Sequence, residues 1–160
     1  MSVKDPSWLA QHLRSGKRVL IMAGALCDKL DVDGKNLLDY VAEISKKTDA
    51  PIAATGNTVT GLRQRGINVK KAWAIEMANF AHRDWHHPIM EKKPQIMVLV
   101  GYSPLLASNL VSVVKGVETV VLGDRYVEAA TYSLPDKDSY KAWRKELDDL
   151  VGAMGNPRVK

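Results

Sequence analysis

The sequence predicts an α/β fold, a three-layer α/β/α sandwich around a mainly parallel sheet. Three observations carry this expectation. Arg18–Ala23 (RVLIMA) and Ile96–Val100 (IMVLV) are continuous apolar runs without alternation, as expected of strands covered on both faces. Segments of strand character alternate with segments whose apolar residues recur at three and four, the pattern of parallel strands joined by right-handed crossover helices. Each apolar run ends in a polar or glycine-bearing loop, and in open sheets of this kind ligands sit beyond the carboxyl ends of the strands.

Length and composition set the bounds. A chain of 160 residues has the length of one domain, so one unit over 1–160 with a core from about 18 to 151 is expected. With 46% hydrophobic and 26% charged residues, the composition is that of a globular protein that folds by burial. Cys27 is the only cysteine, which rules out an intramolecular disulfide and fits a cytoplasmic setting. No apolar run has signal-peptide form or the roughly 20 residues needed to span a bilayer, so no membrane partner is expected. The net charge of +5 and pI near 9.3 suit an acidic partner, a nucleotide ligand or merely a basic surface. The basic residues are spread along the chain without a recognition motif, so nucleic acid is not expected.

Taken in order, Pro6–Leu13 predicts a short amphipathic helix with Trp8, Leu9, His12 and Leu13 on one side, broken at Ser15-Gly16. Arg18–Ala23 is the first strand and Gly24–Cys27 a tight turn. Leu37, Leu38, Val41, Ala42 and Ile44 predict a helix from Lys35 to Asp49. Pro51–Thr55 is a short strand and Gly56-Asn57-Thr58 a turn, and Val59–Asn68 is read as loop. Trp73, Ile75, Met77, Ala78, Phe80 and Ala81 predict a helix over Ala72–His82, followed by a polar connection from Arg83 to Pro94. After the central strand, Ser103 as N-cap and Pro104 in the first turn open a helix to Val114. Val117–Leu122 is the fourth strand and 123–135 a long loop. Asp138–Met154 is a terminal helix with Tyr140, Trp143, Leu147, Leu150 and Val151 at core spacing, and the tail after Gly155 is expected to fray. The whole is Rossmann-like, and its parallel strands deliver Gly24–Cys27, Thr55–Thr58, Gly101–Ser103 and Gly123–Tyr126 to one rim.

Each rim loop has a binding reading and a plain one. Gly24 and Ala25 follow a strand as a phosphate-binding turn does, but the G-x-G-x-x-G spacing is absent and a simple tight turn is the alternative. Cys27 reads as a small buried hydrophobe rather than a redox thiol. In Thr55, Gly56, Asn57 and Thr58, glycine admits a ligand to the backbone while the side chains offer hydrogen bonds to phosphate or ribose, against an Asx-type turn. Gly101, Tyr102 and Ser103 stand at a helix N-terminus, which serves equally as an anion site and as an ordinary cap. Asp124 and Arg125 suit a ribose hydroxyl and a phosphate, or else an internal ion pair that holds the loop. His82, His86 and His87 have zinc-like spacing, but Pro88 and the lack of a completing ligand favour surface histidines. Trp85 suits an exposed anchor for a partner protein. No Ser-His-Asp order, carboxylate pair or reactive lysine stands at the rim, so no catalytic residue is assigned.

Taken together, PIAATGNTVTGL (Pro51–Leu62), VGYSPLLASNLVSVVKG (Val100–Gly116) and DRYVEAATYSLPD (Asp124–Asp136) resemble the epsilon subunits of the archaeal carbon monoxide dehydrogenase/acetyl-CoA synthase complex, also called acetyl-CoA decarbonylase/synthase. The likeness covers roughly Arg18 to Val151. It implies a deoxyhypusine-synthase-like NAD/FAD-binding fold and a place in the one-carbon metabolism of methanogenesis. It also implies an accessory role on the metal-cluster-bearing alpha subunit, with FAD as the cofactor in electron transfer. The nickel and iron–sulfur chemistry then belongs to the partner, in keeping with a chain whose one cysteine holds no cluster. The isolated chain is expected to form a homo-oligomer. The sequence departs from the family at Tyr102-Ser103-Pro104, where a run of tyrosines is usual, and at Glu128-Ala129-Ala130-Thr131, where an asparagine-containing turn is usual. The alternative reading is a free-standing FAD-, NAD- or nucleotide-binding protein, motivated by the polar loops gathered at one rim.

Overall fold

The computed structural model describes residues 2–67 and 69–155. The tail after Gly155 and position 68 of the expected loop lie outside the described residues. In chain order the elements are β1 (Ser2–Val3), α1 (Pro6–Leu13), β2 (Val19–Ala23), β3 (Asp31–Val32), β4 (Lys35–Asn36), α2 (Leu37–Thr48), β5 (Ile52–Ala54) and α3 (Gly56–Gln64). There follow β6 (Lys70–Lys71), α4 (Ala74–His82), β7 (Ile96–Val100), α5 (Pro104–Val113), β8 (Glu118–Val121), β9 (Tyr132–Ser133) and α6 (Tyr140–Ala153).

The sheet runs β1-β9-β8-β7-β2-β5-β6, and every neighbouring pair in it is parallel. Strands β3 and β4 form a separate antiparallel hairpin inserted before α2. At the centre β2 and β7 run in register from Val19 beside Ile96 to Ala23 beside Val100. From β2 the chain winds outward through β5 and β6, then crosses back to β7 and winds the other way through β8. The direction of winding therefore reverses between β2 and β7, and the loops after these two strands stand at the topological switch point.

The missing alternation of the apolar runs has its explanation in the two cores. Ile21, Ala23, Ile96, Val98 and Val100 pack against helices α1, α2, α3 and α6. Leu20, Met22, Met97 and Leu99 pack against α4 and α5 on the opposite face. Both faces being covered, every position of β2 and β7 is buried. This is the three-layer, Rossmann-like sandwich that the sequence predicts. Helix starts follow the capping chemistry: Asp5, Asn36, Ser103 and Ser139 each accept a hydrogen bond from a backbone N–H in the first turn of α1, α2, α5 and α6. Helix α2 ends at Asp49 in the left-handed conformation, φ 58°.

Four expectations need correction. The sheet has three further strands, β1, β6 and β9, each two residues long and too short to carry a hydrophobic pattern. The stretch read as a turn and a loop contains α3, which takes in Gly56, Asn57 and Thr58. Two glycines weaken its helix propensity, and Gly61 packs closely on α2, where a Cβ would lie 2.4 Å from Leu38 Cδ1 and the leucine side chain would have to shift. Trp73, expected inside the helix over Ala72–His82, precedes it as the N-cap residue of α4; Trp73 and Ile75 are 62% and 54% exposed, and α4 buries Met77, Ala78 and Ala81. Tyr140, expected in the core, is 43% exposed at the start of α6.

Candidate functional site at the carboxyl rim

Because the strands are parallel, all four predicted loops stand at one rim, and the structure brings three of them together in a groove. Its larger part, of about 430 Å³, is lined by Leu26, Trp73, Ile75, Tyr102 and Leu106, with Thr55 and Ser103 as the residues bearing aliphatic hydroxyls. A neighbouring part of about 280 Å³ is lined by Gly56, Asn57 and Lys71, with Ala25, Thr55 and Trp73 common to both. One half is thus mostly apolar and aromatic. The other holds a helix N-terminus and a cation.

The local chemistry fixes what each residue offers. Thr55 precedes α3 and makes no side-chain capping hydrogen bond; Thr58 N–H donates to the Thr55 carbonyl at 3.0 Å, which leaves the Gly56 and Asn57 N–H groups uncapped by Thr55 at the groove. Ser103 Oγ does cap α5, accepting from Leu106 N–H at 3.3 Å. Thr58 is fully buried and its hydroxyl donates to the Thr55 carbonyl at 2.5 Å, so it stabilises the turn rather than lining the groove. Asn57 Nδ2 donates to Asp28 Oδ1 at 2.7 Å, tying the first turn of α3 to the turn after β2. The Lys71 ammonium lies 5.8 Å from the Trp73 ring centroid. Burial raises the Tyr102 phenol above its ordinary value.

At the switch point itself the two loops close on each other. Gly24 N–H donates to the Val100 carbonyl at 2.8 Å, and Leu26 N–H to the Gly101 carbonyl at 3.1 Å. Cys27 is fully buried, its thiol donating to the Val100 carbonyl at 3.2 Å. Desolvation pushes the thiol up to about 12, so it is held as the neutral form.

The fourth loop stands apart. Asp124 and Arg125 follow β8 but are not among the residues lining the groove. Among the described residues they form no ion pair, and the loop is held by Tyr126 N–H donating to Asp136 Oδ1 at 2.7 Å and Lys137 N–H to the Asp124 carbonyl at 2.9 Å. The histidines diverge to different partners: His82 Nδ1 is 2.9 Å from the Val113 carbonyl oxygen and His87 Nε2 is 2.9 Å from Glu76 Oε1. Trp85 is half-buried, its indole N–H donating to the Met90 carbonyl at 3.0 Å, so it is a packing residue and not an exposed anchor. The exposed aromatic at the rim is Trp73. It lies two residues after β6, as the N-cap residue of α4, a place that helical periodicity does not disclose.

No family model matches the chain. Several curated relatives do, two of them as follows. One is "Acetyl-CoA decarbonylase/synthase complex subunit epsilon 1" of Methanosarcina barkeri, 27% identical over 94% of this chain and 87% of the relative. The other is "Acetyl-CoA decarbonylase/synthase complex subunit epsilon 2" of Methanosarcina mazei, 29% identical over 91% of this chain and 85% of the relative. The chain is similar to acetyl-CoA decarbonylase/synthase epsilon subunits. A likeness to epsilon subunits over nine tenths of the chain takes in all four rim loops, and it bears out the resemblance that the three sequence stretches carry. Among the described residues no helix is long and apolar enough to cross a membrane.

Proposed function

We propose that the chain is an accessory, non-catalytic subunit of an acetyl-CoA decarbonylase/synthase complex, docking on the metal-cluster-bearing alpha subunit and holding FAD at the carboxyl rim. The observation that carries this reading is the similarity to named epsilon subunits along nearly the whole chain. The rim supports the cofactor part. Trp73, Ile75 and Tyr102 offer flat apolar surface for a ring, while Gly56, Asn57 and Lys71 offer N–H groups and a cation for phosphate. A flavin bound there would supply electron acceptance and release; the chain's own residues bind and orient it. The deoxyhypusine-synthase-like type of NAD/FAD-binding fold belongs to the same reading. Exposed Leu105 and Leu106, beside the groove in the first turn of α5, offer apolar surface to the partner.

The test is purification from native lysate with an affinity tag on this chain. Recovery with a large iron–sulfur protein, together with flavin absorbance, is the expected outcome, and a chain eluting alone overturns the docking role. Thermal shift against FAD, NAD and ADP addresses the ligand separately, since a ligand at a hundred times its Kd stabilises by about 2.7 kcal/mol. A chain that elutes alone yet responds to these ligands is a free-standing nucleotide-binding protein.

A further inference from the structure

Beside the rim groove lies a second, polar depression of about 500 Å³, lined by Asp28, Asn36, Asn57, Thr60, Gln64 and Arg65 among others. It lies between the turn after β2 and helix α3. Asn57 lines both this depression and the half of the groove that holds Lys71, so the two hollows meet at the Asp28–Asn57 hydrogen bond. The bridge uses Asp28 Oδ1 and Asn57 Nδ2, which leaves the second carboxylate oxygen and the amide oxygen as acceptors. Asn36 Nδ2 donates to the Asp28 backbone carbonyl at 3.1 Å, fixing the turn that presents the carboxylate.

The charge balance at this junction is one-sided. Among the described residues no cation pairs with Asp28, whereas Arg65, the one cation lining the depression, is already committed. Its Nε donates to Asp39 Oδ1 at 2.6 Å and its Nη1 to the Gly61 carbonyl at 2.8 Å. A pocket with an uncompensated carboxylate, three amides and a threonine hydroxyl accepts O–H donors and repels anions. A phosphate therefore fits the α3 N-terminus and Lys71 side, and a hydroxylated sugar fits the Asp28 side.

We propose that Asp28 and Asn57 form a ribose-recognition site, at which the carboxylate accepts the ribose hydroxyls of an adenine nucleotide and excludes a ribose bearing a 2′-phosphate. This deepens the dinucleotide reading of the rim and rests on it. It places the apolar end of the ligand on Trp73 and the sugar end on Asp28, and it assigns selectivity to a residue outside the four predicted loop sites.

The experiment compares binding of ADP and adenosine 2′,5′-bisphosphate to the full chain by calorimetry, for the wild type and for Asp28→Asn. That variant keeps an oxygen to accept from Asn57 and loses only the charge; a melt checks that it is folded. The wild type is expected to prefer ADP by roughly tenfold or more, and the variant to weaken ADP while narrowing or reversing the preference. Equal binding of the two probes to the wild type, or a preference unchanged in Asp28→Asn, overturns the ribose assignment and leaves the rim as a nucleotide site. Absence of binding by ADP, NAD and FAD alike overturns the dinucleotide reading itself, and this inference with it.

Discussion

Gly24 and Gly101 face each other across the ends of the two central strands so closely that a Cβ on Gly24 would lie 2.4 Å from the Gly101 carbonyl oxygen. A Cβ on Gly101 would lie 2.3 Å from Cys27 Sγ. The crevice at the switch point is thus narrowed by backbone, and the open space at the rim is the groove beside it, toward α3 and α4. Gly24→Ala is expected to cost about 1–3 kcal/mol by overpacking. Gly101→Ala should cost more, because Gly101 also has φ +82°. Thermal melts check both, at roughly 2–4 °C per kcal/mol for a chain of this size.

The Cys27 thiol makes a second prediction. Its value is raised from 9.0 to about 12 by desolvation, with a smaller contribution in the same direction from Asp28. The folded state binds the proton more tightly than the unfolded one, so the thiol's contribution to stability is complete below about pH 9 and is lost as pH rises toward 12. The Tyr40 and Tyr102 phenols, raised above their ordinary value chiefly by burial, act in the same direction above about pH 10. Urea midpoints should fall from neutral to alkaline pH, less steeply in Cys27→Ala. A thiol reagent should leave the native protein unmodified and react once it is unfolded.

Tyr40 joins the helices on one face of the sheet. It is fully buried in α2 and its hydroxyl donates to Asp148 Oδ1 on α6 at 2.6 Å. Tyr40→Phe removes this hydrogen bond to a charged acceptor and is expected to cost about 1.5–3 kcal/mol in denaturant unfolding.

Trp73 separates binding from folding. An exposed side chain contributes little to stability, so Trp73→Ala should leave the unfolding midpoint within about 0.5 kcal/mol. Loss of a stacking surface should weaken flavin or nucleotide binding by about 1–3 kcal/mol, read by titration. A variant that unfolds early, or binds as tightly as the wild type, contradicts the placement of the ring at Trp73.

Leu105 does the same for the partner. It is 74% exposed in the first turn of α5, where a negative charge is favourable to the helix dipole. Leu105→Asp should therefore keep its melting temperature while reducing recovery of the iron–sulfur partner in pull-down.

What the sequence disclosed follows from how the physics is written in it. Val19–Ala23 and Ile96–Val100 are apolar at every position because both faces are covered, and this alone predicts layers and rim. Ser103-Pro104 marks the start of α5 to the residue because capping is local chemistry. Helix α3 is hard to read in sequence because Gly56 and Gly61, which lower its helix propensity, lie inside it, Gly61 in close contact with Leu38. Trp73 and Ile75 fell into register with an apolar helix face, and only the tertiary arrangement turns them outward. Asp28 and Asn57 are 29 positions apart, and a pair made by folding leaves no spacing to read.

Both outermost strands, β1 and β6, are two residues long. Such stubs present almost no main-chain ladder for another polypeptide to extend, which guards against open-ended fibre growth. An association with another chain would therefore run through side-chain surfaces such as the rim and the helices, and substitutions there would leave the sheet untouched.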